Sequence, residues 1–339
     1  MKDNANAFYR SRLCGSDMEL YDSILQATQN FEARLSLSRP ISPRAGLVLY
    51  NRVRNDHPEL IHLENNIKIA SSLLGSQMIF QYGMTRSAYS DLYREMNTKG
   101  DEILSAINAS IMGENEVIQY IHDYLVTHVE YNIEALQRNR ITSKETNAHG
   151  ALLYGSAVCH GYAQAMKYLC DKMGVFCIVV IGKSNFPSTK QQVDHAWNIV
   201  KANGYFQHID VTWDSNQTTS HEVPCRDYFM LNDEHILLDH VYDASSVPKC
   251  PDEPCNYYHT NNAEVTSLTD IDHIVSDAAF MEVNAFGFRV NNWSISQDKI
   301  IGCAQDSIMK HYSSTSGEYQ YRYNYNEYQN TYWFYVEVT

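Results

Sequence analysis

Three residues of this chain have the types and spacing to activate a thiol: Cys159, His195 and Asp210. Cys159 lies in "AVCHGYAQAMKYLCDKMG", as the last residue before a helical pattern or the first within it. The thiolate, not the thiol, is the nucleophile. A helix N-terminus carries partial positive charge and unpaired N–H groups. Both favour a thiolate, and the same N–H groups can hold the oxyanion of an acyl-transfer intermediate. The other two cysteines nearby read as core. Cys170 falls on the apolar stripe Ala163, Met166, Cys170, Met173, and Cys177 falls in the buried run "VFCIVVIG".

A cysteine nucleophile needs a base, and the base needs an orienting group. "HAWNIVKANGYFQHIDVTWD" reads as a hairpin turning on Asn203-Gly204, a dipeptide suited to a type I′ turn. A two-residue loop there sets His195 opposite Thr212 and Trp197 opposite Asp210. His195 and Asp210 then share a face as diagonal neighbours, about 7–8 Å apart at the backbone. A slip of one residue would separate them. His208 shares that face in the same register and is a competing base.

The elements that must position these residues follow from periodicity. "ENEVIQYIHDYLVTHVEYN" carries an amphipathic helical pattern, and "EALQRNRITSKETNAHG" a polar connection. The Cys159 helix closes at Gly174, a C-cap residue. Upstream, residues 18–36 and 44–57 have helical spacing, "NNIKIASSLLGSQMIFQYGMT" suggests two short strands around Gly75, and Thr85 or Ser87 caps a further helix. Downstream, a helix is expected near 266–279 and strands near 281–290 and 299–311. In "YQYRYNYNEYQNTYWFYVEV", Tyr319, Tyr321, Tyr323 and Tyr325 alternate along one strand face. That spacing suits a tyrosine-lined sheet face packed on a helix better than an aromatic ligand platform.

Composition narrows the class. The 339 residues exceed what one core usually serves, and the formal net charge of −14 argues against nucleic acid or an anionic membrane as main partner. No run of about 18 apolar residues is present, so no membrane span is expected. The N-terminus lacks an apolar signal-peptide region, which points to the cytoplasm. Eight cysteines at this length suggest free thiols and no disulfide framework. "CPDEPC", Cys250 to Cys255, has no second pair to complete a zinc site. No acidic loop has calcium-binding spacing.

"AVCHGYAQAMKYLCDKMGV", "DHAWNIV" and "YFQHIDVTWD" closely resemble the three core motifs of the transglutaminase-like superfamily, a papain-like group of thiol enzymes. The resemblance covers residues 116–258 and extends more weakly into "NDHPELIHLENN" and "GMTRSAYSDLYREMNTKGDEILSAIN", which look like the N-terminal region of bacterial members. It implies an α+β fold, a nucleophile helix packed on an antiparallel sheet, with flanking α/β segments. The expected division is 1–115, a catalytic core at 116–258 and a tyrosine-rich 259–339. By the same resemblance Cys159 is the nucleophile, His195 (heading "HAWN") the base and Asp210 the orienting carboxylate. Trp197 and Trp213 would pack around the hairpin. His160 stands where a polar amide or acid is more usual. Tyr131, Asn147 and Tyr154 are candidates for a second oxyanion donor. The implied reaction is acyl transfer from peptide or protein amides through a thioester, to water or an amine, with no cofactor. The alternative is a catalytically silent protein-binding module on the same fold. Oligomeric state is open.

Overall fold

The Cys159–Met173 helix begins where Val158, in extended conformation, donates its N–H to Glu145 O at 2.9 Å, and it ends on Gly174 in the left-handed region at φ 71°. It lies against a five-stranded antiparallel sheet. In spatial order the strands are His240–Tyr242, Cys177–Asn185, Gln192–Ala202, Tyr205–Ile209 and Phe229–Leu231. The structure, a computed structural model, describes residues 7–72, 75–107, 111–185, 191–217, 223–291, 294–312 and 319–338. Met166, Leu169 and Cys170 on the helix meet Cys177 and Val200 on the sheet in one buried core, which also takes in the Glu114–His128 helix.

The hairpin register is the one the Asn203-Gly204 turn dictates. Ala202 pairs with Tyr205, Val200 with Gln207 and Asn198 with Ile209, and both turn residues have positive φ, 52° and 88°. The ladder stops there. Residues Val211–Gln217, expected to continue the strand, form a helix whose Trp213 N–H bonds Asp210 Oδ1 at 3.1 Å. Thr212 therefore does not oppose His195. Asp210 sits at the strand-to-helix corner, with its own N–H bonded to Tyr228 O.

A glycine makes room behind the sheet face that carries His195. Gly182 pairs with His195 across the sheet, and a Cβ there would stand 2.4 Å from Val241 O and 2.7 Å from the Trp197 ring. The missing side chain leaves room for the edge strand His240–Tyr242, whose Tyr242 pairs with Gly182, beside the Trp197 ring.

The N-terminal residues brace the outside of the Cys159–Met173 helix. The Pro43–Asp56 helix carries buried Arg54 and Asn55; Gln164 Nε2 donates to Arg54 O at 3.1 Å, and His160 Nε2 meets Asn55 Oδ1 at 3.0 Å. A three-stranded sheet is ordered Arg34–Leu37, Gly75–Ile79, Lys68–Ser72, and Thr85 caps the Arg86–Leu104 helix. The helical spacing over 18–36 breaks earlier than expected. The helix spans Gly15–Gln29, then Phe31 turns at φ 55° and Arg34–Leu37 pairs as a strand. The polar connection after the Glu114–His128 helix holds short helices at Ile133–Gln137, Ser143–Thr146 and Ala148–Tyr154.

Downstream, a four-stranded sheet is ordered Glu264–Val265, Ala285–Val290, Thr331–Val338, Tyr319–Asn326. The helices Leu268–Phe280 and Gln297–Tyr312 share its core. The second corrects the strand expected near 299–311: Ile300, Ala304 and Ile308 recur at i+4 and are buried, a helical stripe read as β because of its paired isoleucines. Tyr321 and Tyr325 pack toward that core, while Tyr323, 39% exposed, stacks on Phe334.

The start of the Cys159–Met173 helix is fixed by close backbone approach. A Cβ at Gly161 would lie 2.5 Å from Glu145 O and 2.8 Å from Ala157 Cβ. Gly161→Ala is expected to cost about 1–3 kcal/mol, as overpacking of a rigid site does, and to lower the thermal unfolding midpoint. An unchanged midpoint would contradict this packing.

Candidate active site

The corner at Asp210 gathers the groups singled out in the sequence. His195 Nε2 is 2.5 Å from Asp210 Oδ2, with Asp210 fully buried and His195 7% exposed. The carboxylate claims Nε2, which leaves Nδ1 for another partner, and Cys159 lies near enough to help raise the proton affinity of His195. Cys159 is the first residue of its helix, half-buried against Ala163, Val179 and Ala196. An imidazole so held can take a proton from the thiol and return it to a leaving group.

Two tryptophans fix the imidazole. The Trp197 ring stacks beside His195 at 5.9 Å between centroids and 19° between planes, and Trp213 meets it edge-on at 6.0 Å. His208, the competing base, is elsewhere. It accepts from Trp197 Nε1 at its Nδ1, 3.0 Å, and its Nε2 meets Asp233 Oδ1 at 3.0 Å. His208 therefore supports the tryptophan that supports His195, and burial pushes it below the usual histidine range.

The oxyanion candidates divide. Asn147 is buried and donates to Ile61 O and Leu63 O while accepting from Arg54, so its amide is occupied in bracing the N-terminal segment. Tyr154 is 49% exposed beneath Lys144. Tyr131 lines the same cleft as His195; burial first, then the Cys159 and Asp210 charges, raise its hydroxyl well above the usual range. His160 points away into the Asn55 contact, and burial, then the Arg54 charge, lower it to about 3.

Beside His195 opens a cleft of about 900 Å³. Ile133, Leu136 and Val193 supply large apolar side chains to it, each 40–52% exposed. The opposite wall is the turn of the C-terminal hairpin, with Tyr325, Asn326 and Tyr328. Buried Asp227 pins that turn, accepting from Asn326 Nδ2 at 3.1 Å, Trp333 Nε1 at 2.9 Å and Tyr258 OH at 2.5 Å. No local sequence pattern announced this wall, because its turn is tied to Asp227, 99 positions before Asn326.

The site also contains a histidine that the motifs did not reveal. His240, fully buried, places Nε2 2.9 Å from Asp210 Oδ2 and Nδ1 2.5 Å from Asp239 Oδ1. Its strand joins the far edge of the sheet, a pairing that local periodicity does not encode. Two groupings among the described residues have metal-like proximity, His195/Asp210/His240 and His208/Asp233/Cys250. In both, the histidine nitrogens and carboxylate oxygens face one another as donors and acceptors, so hydrogen bonding accounts for the arrangement.

With this geometry in view, residues 101–211 match the model of the transglutaminase-like superfamily. This segment, about a third of the chain, is similar to that superfamily, which covers cysteine protease and acyltransferase activities. The chain is 29% identical over 155 residues to kyphoscoliosis peptidase of Mus musculus, a match spanning 42% of this chain and 23% of that protein. For kyphoscoliosis peptidase of Homo sapiens it is 28% over 144 residues, 40% and 21%. The chain thus spans less than a quarter of these relatives. A crystal structure of a TGase aligns over 44% of each chain with a TM-score of 0.31 and 13% identity. No helix among the described residues is long and apolar enough to cross a membrane.

The pair has a definite pH signature. Burial pushes His195 down, but the Asp210 charge and hydrogen bond, aided by Cys159, outweigh it and raise His195 from 6.5 to about 10. Burial likewise pushes Asp210 up, and His195 with His240 hold it well below its ordinary 3.8. A raised histidine stabilises fully below pH 6.5 and loses that contribution as pH climbs toward about 10. A depressed carboxylate stabilises above 3.8 and loses its contribution as pH falls through its folded value. The melting temperature is therefore expected to fall more from about pH 7 to about pH 10.5 in the wild type than in His195→Gln. Equal falls would contradict the pairing.

Proposed function

We propose that the chain is a cysteine acyl-transfer enzyme acting on peptide or protein amides, with Cys159 as nucleophile, His195 as general acid and base, and Asp210 as the carboxylate that orients His195. The observation that carries this reading is the buried Asp210–His195 pair, with His195 lining an apolar-walled cleft and influenced by a cysteine at a helix N-terminus. The thiol proton has passed to His195 Nδ1 before the Cys159 sulfur attacks the amide carbon, so His195 enters the step protonated, in line with its raised proton affinity. The C–S bond forms, the C–N bond breaks, and His195 returns the proton to the departing amine. Water or a second amine then attacks the thioester, with His195 taking its proton, and Cys159 is regenerated. The oxyanion falls to the first N–H groups of the Cys159 helix, with the Tyr131 hydroxyl as the second donor. The cleft suits an extended peptide bearing an apolar side chain against Ile133, Leu136 and Val193.

The name of the relatives, peptidase, favours water as acceptor. The rival reading, a silent binding module, draws on the same tyrosine-bearing hairpin turn, but it leaves the thiol without a role.

At neutral pH iodoacetamide is expected to label half-buried Cys159 ahead of exposed Cys14, and His195→Ala to reduce that labelling by at least tenfold. Labelling that follows exposure, Cys14 first, would sink the enzyme reading. A peptide library incubated with and without a primary amine, read by mass spectrometry, distinguishes cleavage from transamidation. Tyr325→Ala with Tyr328→Ala is expected to raise KM for a cleaved peptide severalfold while leaving Cys159 labelling by the small reagent unchanged. Unchanged KM would remove the hairpin turn from substrate binding.

A further inference from the structure

Asp210 serves two imidazoles. Its Oδ2 lies 2.5 Å from His195 Nε2 and 2.9 Å from His240 Nε2, and its Oδ1 accepts from the Trp213 N–H. His240 in turn reaches Asp239 Oδ1 through Nδ1, and Asp239 Oδ2 accepts from Tyr228 OH at 2.5 Å. Both ring nitrogens of His240 thus face carboxylate oxygens. An ionised carboxylate only accepts, so both nitrogens must carry protons. Each carboxylate has at least two donors, which favours its ionised form.

We propose that His240 is a positioning residue of the Cys159–His195–Asp210 site: a permanently charged imidazolium between Asp210 and Asp239 that fixes the Asp210 carboxylate and offsets part of the charge that His195 feels. It rests on the proposed role of His195 and goes beyond it by naming what limits the basicity of that histidine. The ring centroids of His195 and His240 are 5.4 Å apart, close enough for a unit charge to matter at any interior dielectric. Burial pushes His240 down, yet its bonds to Asp210 and Asp239 hold it above the usual histidine range.

The groups facing His240 come from every packed element. They are Asp210 and His208 from the Tyr205–Ile209 strand and its end, His195 from the neighbouring hairpin strand, Asp239 from its own segment, and Tyr228 ahead of the Phe229–Leu231 strand. Trp197 at 4.9 Å, Tyr228 at 5.7 Å and Trp213 at 6.4 Å box the ring edge-on, so it has no space to rotate off either carboxylate. Gly182 supplies the passage, as a side chain there would strike Val241 O and the Trp197 ring.

The test is a titration of the full chain labelled with 15N-histidine, followed by NMR from about pH 5 to about pH 11. In the wild type His240 is expected to carry both ring protons at about pH 7. A neutral tautomer there overturns the proposal without any variant. In His240→Gln, the pH at which His195 loses its proton is expected to rise from about 10 to beyond about 11, the upper end of the titration. In Asp239→Asn/His240→Gln, which removes one charge of each sign, it is expected to return to within about half a unit of the wild type. A His195 transition that does not move in His240→Gln, or does not return in the double variant, overturns the charge-offset role. These readouts follow imidazole protons and do not require Cys159 to react. Exposure-ordered alkylation alongside a charged His240 would remove the enzyme reading, and with it the positioning role, and leave only the His240 charge between Asp210 and Asp239.

Discussion

The Asp210 carboxylate is the constraint on which the site depends. It is fully buried and accepts from His195, His240 and the Trp213 N–H at once. Burying a charge this deeply is unfavourable unless its lone pairs are met. The surrounding fold is what meets them. The Asn203-Gly204 turn sets the register, the strand ends at Ile209 so that Asp210 can cap a helix, and Gly182 admits the edge strand that brings His240. Removing the carboxylate would leave two buried imidazoles without their common partner.

Around that anchor the rest of the chain acts as bracing. The N-terminal segment holds the nucleophile helix from outside through His160–Asn55 and Gln164–Arg54. The C-terminal sheet sends its hairpin turn across to form the far wall of the cleft, with buried Asp227 as the tie. The segments flanking the matched residues 101–211 therefore bear directly on the site: one holds the cysteine and the other shapes what reaches it.

Much of the site was legible in the sequence because its geometry is local. A helix-start cysteine and a tight hairpin place three side chains with few assumptions, and the turn alone fixed the pairing of Asn198 with Ile209. The legibility failed where contacts cross the chain. Asp210 was read as a strand residue opposite Trp197, although it lies at a corner; "VTWD" looks like strand by β-branching and aromaticity, and the cap on Asp210 overrides that preference. The stretch near 299–311 reads as a strand for the same reason, propensity outweighing a clear i, i+4 stripe, although it lies within the Gln297–Tyr312 helix. His240 carries no local pattern at all, because its role depends on a far-edge strand pairing. The apolar cleft wall is likewise a product of tertiary folding.

The central claim is that Cys159 forms the covalent bond. Acid-quenched mass spectrometry of the protein mixed with an activated peptide ester tests it most directly. The account predicts one hydroxylamine-labile acyl group, located on Cys159 and lost in Cys159→Ala. Acylation absent from Cys159, or spread over Cys14 and Cys303 instead, would contradict it.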